Sequence, residues 1–129
     1  MKSGGGSEKP EVAAPRDLGD RLVDFGAEVL RFSRLLQRSV VGRHVAGQLV
    51  RSATSAGANY FEARGAESRA DFVHKLQLCL KELRETEYWL RLLERSDIAA
   101  EGVAGLKSEA DELVRIAVSS VVKAKATTR

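Results

Sequence analysis

"SATSAGANYFEARG", Ser52 to Gly65, decides how the rest of the chain is read. Eight small residues in a row, Ser52 to Asn59, have the composition of a loop, yet the sequence on both sides is helical in pattern. The spacing settles the matter. Ala46, Leu49, Ala53, Ala56, Tyr60 and Ala63 step by three or four residues straight through the run, the period of one helix face. A loop of this length would break that step. Alanine favours helix, serine and threonine tolerate it, and Gly57 costs about 1 kcal/mol relative to alanine. The stretch predicts a continuous second helix whose small side chains let a neighbouring backbone come close, ending at Gly65 as its C′ residue.

The same period extends in both directions. Upstream, Leu18, Leu22, Phe25, Val29, Phe32 and Leu36 form the seam of a first helix. Asp17 is its expected N-cap, Asp20 and Asp24 load its early turns, and Arg31, Arg34 and Arg38 load its late ones, as the helix dipole prefers. A turn near Ser39 to Gly42 ends it. Downstream, Ser68 and Asp71 form a capping-box pattern ahead of the seam Phe72, Leu76, Cys79, Leu83, Thr86, Leu90 and Leu93. Ser96-Asp97 marks a turn, and Val103, Leu106, Ala110, Leu113, Ala117 and Ala124 supply a fourth seam. Four helices of roughly 23–28 residues with short connections predict an all-α, antiparallel up-down-up-down four-helix bundle. The bundle is assigned to residues 17–126. Residues 1–16, with Gly4-Gly5-Gly6, Pro10 and Pro15, read as a flexible tail, and residues 127–129 as a C-terminal tail.

Composition limits the function. A chain of 129 residues makes one domain with a modest core. Four Phe, two Tyr and one Trp are too few for a stacking platform for single-stranded nucleic acid. No apolar run is long enough for a membrane span, no secretory leader is visible, and the lone Cys79 suits a reducing compartment, so the expected location is cytoplasmic. Net charge is +3, from 21 basic and 18 acidic residues, which permits contact with nucleic acid without demanding it.

Chemistry-bearing residues are sparse. His44, His74 and Cys79 lie at spacings that set no two ligands side by side, and neither histidine follows a Glu by three residues as in di-iron bundles. There is no phosphate-binding glycine motif. The chain reads as a non-enzyme with no cofactor and no catalytic or metal residues.

Three groups remain. Arg51, Asn59, Glu62, Lys75, Glu82 and Glu85 are expected to crosslink the second and third helices, a ligand pocket being the alternative. Arg31, Arg34 and Arg38, with Lys123 and Lys125, are candidate nucleic-acid contacts, against the plainer role of dipole compensation. Leu78, Trp89 and Leu92 on the third helix and Val114, Val118 and Val121 on the fourth exceed one seam each. They are candidate contacts between copies, the alternative being a wide core.

"ANYFEARGAESRADFVHKLQLCLKELRETEYWLRLL", Ala58 to Leu93, preceded by "RSATSAGAN", resembles the bacterial four-helix-bundle proteins named after intervening sequences in 23S ribosomal RNA genes. Ala58-Asn59-Tyr60, Glu62-Ala63, Asp71-Phe72, Lys75-Leu76, Leu80-Lys81-Glu82, Glu85-Thr86 and Tyr88-Trp89-Leu90 carry the likeness. The resemblance implies a small cytosolic bundle assembled as a homopentameric ring. A related group, the accessory proteins of diversity-generating retroelements, binds nucleic acid and a reverse transcriptase. The partners so implied are further copies of the chain, nucleic acid, and a protein such as a reverse transcriptase. The expected function is a non-enzymatic oligomeric scaffold binding RNA or DNA through repeated basic patches. The alternative is a protein-interaction adaptor that binds no nucleic acid.

Overall fold

All four seams fold as helices in the computed structural model, which describes residues 17–98 and 101–127. They are α1 (Leu18–Ser33), α2 (Val40–Arg64), α3 (Arg69–Arg95) and α4 (Val103–Thr127), with a short 3-10 turn at Arg34–Leu36. Each helix packs on the next in sequence and α4 closes back on α1, giving the up-down-up-down bundle. Residues 1–16 and 128–129, read as tails, lie outside the described residues.

The stretch from Ser52 to Asn59 is unbroken helix within α2. Ser52, Ala53, Ala56 and Ala63 are buried, as are the α3 seam residues from Leu76 to Leu93 that face the interior. Ser39 caps α2 by accepting a hydrogen bond from the Gly42 amide at 2.9 Å, and Ser68 caps α3 by accepting one from the Asp71 amide at 3.1 Å. Gly65 ends α2 with φ −101°, outside the left-handed region, because the amides of Gly65 and Ala66 close the helix with tight bonds to Glu62 and Ala63. The left-handed residue is Gly102 (φ +102°), which turns the chain into α4.

Three expectations change. First, α1 has 16 residues, not the expected length of its neighbours, which have 25 to 27. The 3-10 turn takes over after Ser33 and still delivers Leu36 to the core. Second, Asp17 occupies the N-cap position, but its side chain caps nothing and instead accepts from Arg64 Nη1 at 3.2 Å, tying the start of α1 to the end of α2. Third, α4 continues to Thr127, one residue past the assigned bundle, where the Thr127 hydroxyl donates to the Ala124 carbonyl at 3.0 Å.

The short α1 divides the core. Leu22, Phe25, Val29 and Phe32 pack with α2, α3 and α4 over most of the bundle. Beyond the start of α1, a second cluster of Ala63, Leu76, Val121 and Ala124 involves α2, α3 and α4 alone.

Gly42 and Gly47 give opposite outcomes on the same helix. A Cβ at Gly42 would sit 2.3 Å from the Leu36 backbone carbonyl oxygen, whereas one at Gly47 meets nothing within 4 Å. Gly42→Ala is expected to lower stability by more than about 1 kcal/mol through forced backbone movement, while Gly47→Ala raises it by about 0.5–1 kcal/mol. Urea melts of the two variants check this, and equal midpoints would disprove the close approach at Gly42.

Candidate functional site

The interface of α2 with α3 holds most of the polar groups singled out from the sequence. At its centre the Thr86 hydroxyl lies 2.9 Å from both the Ser52 hydroxyl and the Glu82 carbonyl, and the Ser52 hydroxyl donates to the Leu49 carbonyl at 3.3 Å. Among the described residues Ser52 and Thr86 are the two polar side chains buried in the core, and their mutual contact adds a link between the helices to the bonds each can make to its own helix. The sequence places Thr86 on the α3 seam and Ser52 one residue before Ala53 of the α2 seam.

Towards the surface, Arg51 of α2 donates to Glu82 of α3 at 3.2 Å and also pairs with Glu85. Glu85 accepts from Trp89 Nε1 at 2.9 Å. The Arg51 guanidinium and the indole N–H together hold the Glu85 carboxyl below its ordinary range. Lys75 of α3 donates to Glu62 of α2 at 2.7 Å, nearer the α2–α3 turn. Asn59 takes a different course: its amide nitrogen donates within α2, to the Ser55 carbonyl at 3.0 Å and the Ser55 hydroxyl at 3.3 Å.

A second electrostatic feature joins α3 to α4 and was not read from the sequence. Burial, followed by the hydrogen bond and charge of Asp111, pushes the Glu87 carboxyl up to about 7. Asp111 is held low by its bond with Glu87 and by Lys107, whose ammonium donates to it at 3.2 Å. Between their two titrations the pair holds one proton, which favours Glu87 over Asp111. Cys79 is buried and unpaired, and burial pushes its thiol up to about 12, so it serves as a small hydrophobe. His44 is exposed, edge-on to Trp89, and His74 is exposed on α3, so neither lies beside the thiol.

The candidate basic residues do not form one surface. Arg31, Arg34 and Arg38 are exposed where α1 passes into α2. Lys123 and Lys125 lie at the far end of the bundle, among α4 residues that pack against the end of α2 and the start of α3.

The surplus apolar residues divide differently from expectation. On α4 the chain's own core covers Val114 and Val121, and Val118 packs half-buried against it. On α3, Leu78 and Trp89 are half-buried and Leu92 is exposed. The larger open apolar surface lies between α1 and α2. A groove of about 380 Å³ there is lined by Leu22, Val23, Leu30, Ala53 and Phe61, with Gly26 and Gly57 on its floor. Val23, Leu30 and Phe61 are 55%, 50% and 47% exposed. The absence of side chains at Gly26 and Gly57 leaves the groove open beside Phe61.

Among the described residues no helix is long and apolar enough to cross a membrane. A model of a protein family described as "23S rRNA-intervening sequence protein" matches residues 20–119. No curated protein matches the chain. The fold is similar to the crystal structure of a protein with unknown function from the S23 ribosomal protein family, from Bacteroides thetaiotaomicron. That protein is 34% identical, with a TM-score of 0.74 over 81% of this chain and 98% of that one.

The shared proton gives stability a defined pH dependence. Glu87, with its folded pKa raised to about 7, contributes stability that is complete below the ordinary glutamate range and lost as pH rises towards and past 7. Glu85 and Asp111, both lowered, act in the opposite sense and only in acid. Between pH 5 and 8 the wild-type chain therefore loses stability, by about 1 kcal/mol once solvent screening of a half-buried carboxyl is allowed for. Glu87→Gln, which keeps a donor for Asp111 at every pH, is expected to flatten this part of the curve in thermal melts. An unchanged slope in the variant would show that Glu87 and Asp111 do not share a proton.

Proposed function

The chain belongs to the 23S rRNA-intervening sequence protein family, and from that premise we propose that it is a non-enzymatic, self-associating helical scaffold, assembled as a homopentameric ring, that binds RNA or DNA through repeated basic patches. The observation that carries the self-association is the groove between α1 and α2, where Val23, Leu30 and Phe61 are each about half exposed among the described residues. A contiguous apolar surface of this kind costs free energy in water until another surface covers it. Gly26 and Gly57 on its floor let a second backbone or side chain approach closely. In a ring the contact is heterologous, one face of each copy meeting a different face of the next. The half-buried Leu78, Trp89 and Val118 are the candidates for that second face.

Nucleic-acid contact follows from repetition. Arg31, Arg34 and Arg38 make a weak patch on one chain, and a ring presents that patch once per copy on the same rim. The summed attraction for phosphates is sequence-tolerant and falls steeply with salt.

A second reading, a protein-interaction adaptor, is favoured by the separation of Lys123 and Lys125 from the arginines, which leaves no continuous basic track through these five residues.

Light scattering or native mass spectrometry tests the assembly. The expected mass is that of five chains of 14.1 kDa, and Leu30→Glu with Phe61→Glu is expected to give a folded species of lower mass. A wild-type chain that stays monomeric at high concentration would overturn the ring. Mobility shifts with RNA and DNA across a salt series separate the two readings, since no shift even at low salt leaves the adaptor.

A further inference from the structure

Arg84, Tyr88, Arg91 and Arg95 follow one another by four, three and four residues on α3, so they share one helix face. All four are exposed, with Leu92 beside them. Together with Glu87 they line an open hollow of about 360 Å³, within the size range of small-ligand sites. By the helical rise, the first two arginines are ~10 Å apart along the axis and the last two ~6 Å.

Several other arginines are engaged: Arg21 pairs with Glu109, Arg51 with Glu82 and Glu85, Arg64 with Asp17. On this face no ion pair forms among the described residues, and Arg84 acts only through its field on Glu87. The one acid lining the hollow is Glu87, whose carboxyl, pushed up to about 7, is only partly ionised at neutral pH, so it opposes the three guanidiniums less than an ordinary glutamate would.

The tyrosine is both open and braced. Tyr88 is 55% exposed, and its ring meets Trp89 edge-on, with centroids 5.0 Å apart. Trp89 is in turn tied through its N–H to Glu85, which Arg51 holds from α2. One side of the Tyr88 ring thus rests on a fixed support while much of the ring remains open to solvent.

We propose that this outer face of α3 binds single-stranded nucleic acid, with Arg84, Arg91 and Arg95 on backbone phosphates and the Tyr88 ring stacked on one unpaired base. The inference rests on the nucleic-acid part of the proposed function and adds to it a strand type and a second surface. A duplex satisfies the arginines but keeps its bases inside the stack, away from the ring. An acidic peptide also satisfies them and gives Tyr88 and Leu92 nothing flat to cover. The scarcity of aromatic residues excludes a row of stacked bases, and this site uses one ring with a basic track beside it.

The test is fluorescence anisotropy of the full chain with labelled oligo(dT) of roughly 20 nucleotides and a duplex of equal length, across a salt series. The single strand is expected to bind about tenfold more tightly than the duplex. With three phosphates engaged, the Arg84→Ala, Arg91→Ala, Arg95→Ala variant should lose about 2 from the log–log salt slope, at about 0.7 per phosphate. Tyr88→Ala is expected to weaken binding about tenfold and Tyr88→Phe to retain it. These side chains are exposed, and circular dichroism confirms that each variant folds. Equal affinity for duplex, an unaffected Tyr88→Ala variant, or equally good competition by poly-glutamate would each overturn the inference. Binding that survives the α3 changes but is lost in Arg31→Ala, Arg34→Ala, Arg38→Ala overturns it and leaves the proposed function standing. If neither nucleic acid binds the wild-type chain at low salt, both fall.

Discussion

The close approach of α2 to α3 is the constraint from which the rest of the bundle follows. Ser52, Ala53, Ala56 and Ala63 present little more than backbone to the interior, so the larger side chains that fill it come mainly from the other helices. Dry contact at such range would be unstable if the Ser52 and Thr86 hydroxyls faced hydrocarbon, and each supplies what the other needs. A slide of one helix along the other would separate them and leave each with only the carbonyl of its own preceding turn. The hydroxyl pair therefore fixes the register in which Arg51 meets Glu82 and Glu85, and Lys75 meets Glu62. Surface ion pairs of this kind add little stability on their own, and here they sit where the buried contact has already placed them.

Much of this was legible in the sequence. The three- and four-residue step through Ser52 to Gly65 outweighed the loop-like composition, and in the structure that stretch is helix. The seams of α3 and α4 were readable for the same reason, since burial on one face imposes a period that no loop keeps. The length of α1 was not readable. Leu36 continues the period of Phe32, and a 3-10 turn satisfies that period about as well as a further turn of α-helix does. Asp17 shows a similar limit. Its position at the cap is a local property, but its partner Arg64 lies 47 residues away.

The site residues divide along the same line. Arg51, Glu82 and Glu85 could be grouped because helix periodicity puts them on facing flanks. Asn59 could not be assigned a partner, because an amide on a helix can turn back to its own preceding turn as easily as across to a neighbour. The sharing of a proton by Glu87 and Asp111 depends on the lateral offset of α3 against α4, which spacing alone does not encode. Val114 and Val121 looked surplus when each helix was given a single narrow seam. A helix held between two neighbours buries a wider arc, and α4 does so against both α3 and α1.

Because α3 and α4 run on past the start of α1, the described part of the bundle is four helices thick over most of its length and three at the end that holds Ala63, Leu76, Val121 and Ala124. Cooperativity is correspondingly graded. Ala63, Leu76, Val121 and Ala124, with Phe72 and Val73 packed on them, hold the three-helix end through a smaller buried cluster, so that end is expected to open at lower cost than the rest. Backbone amides there exchange with solvent first, and the turn joining α2 to α3 is the place where evolution or an engineer can lengthen the chain with least penalty.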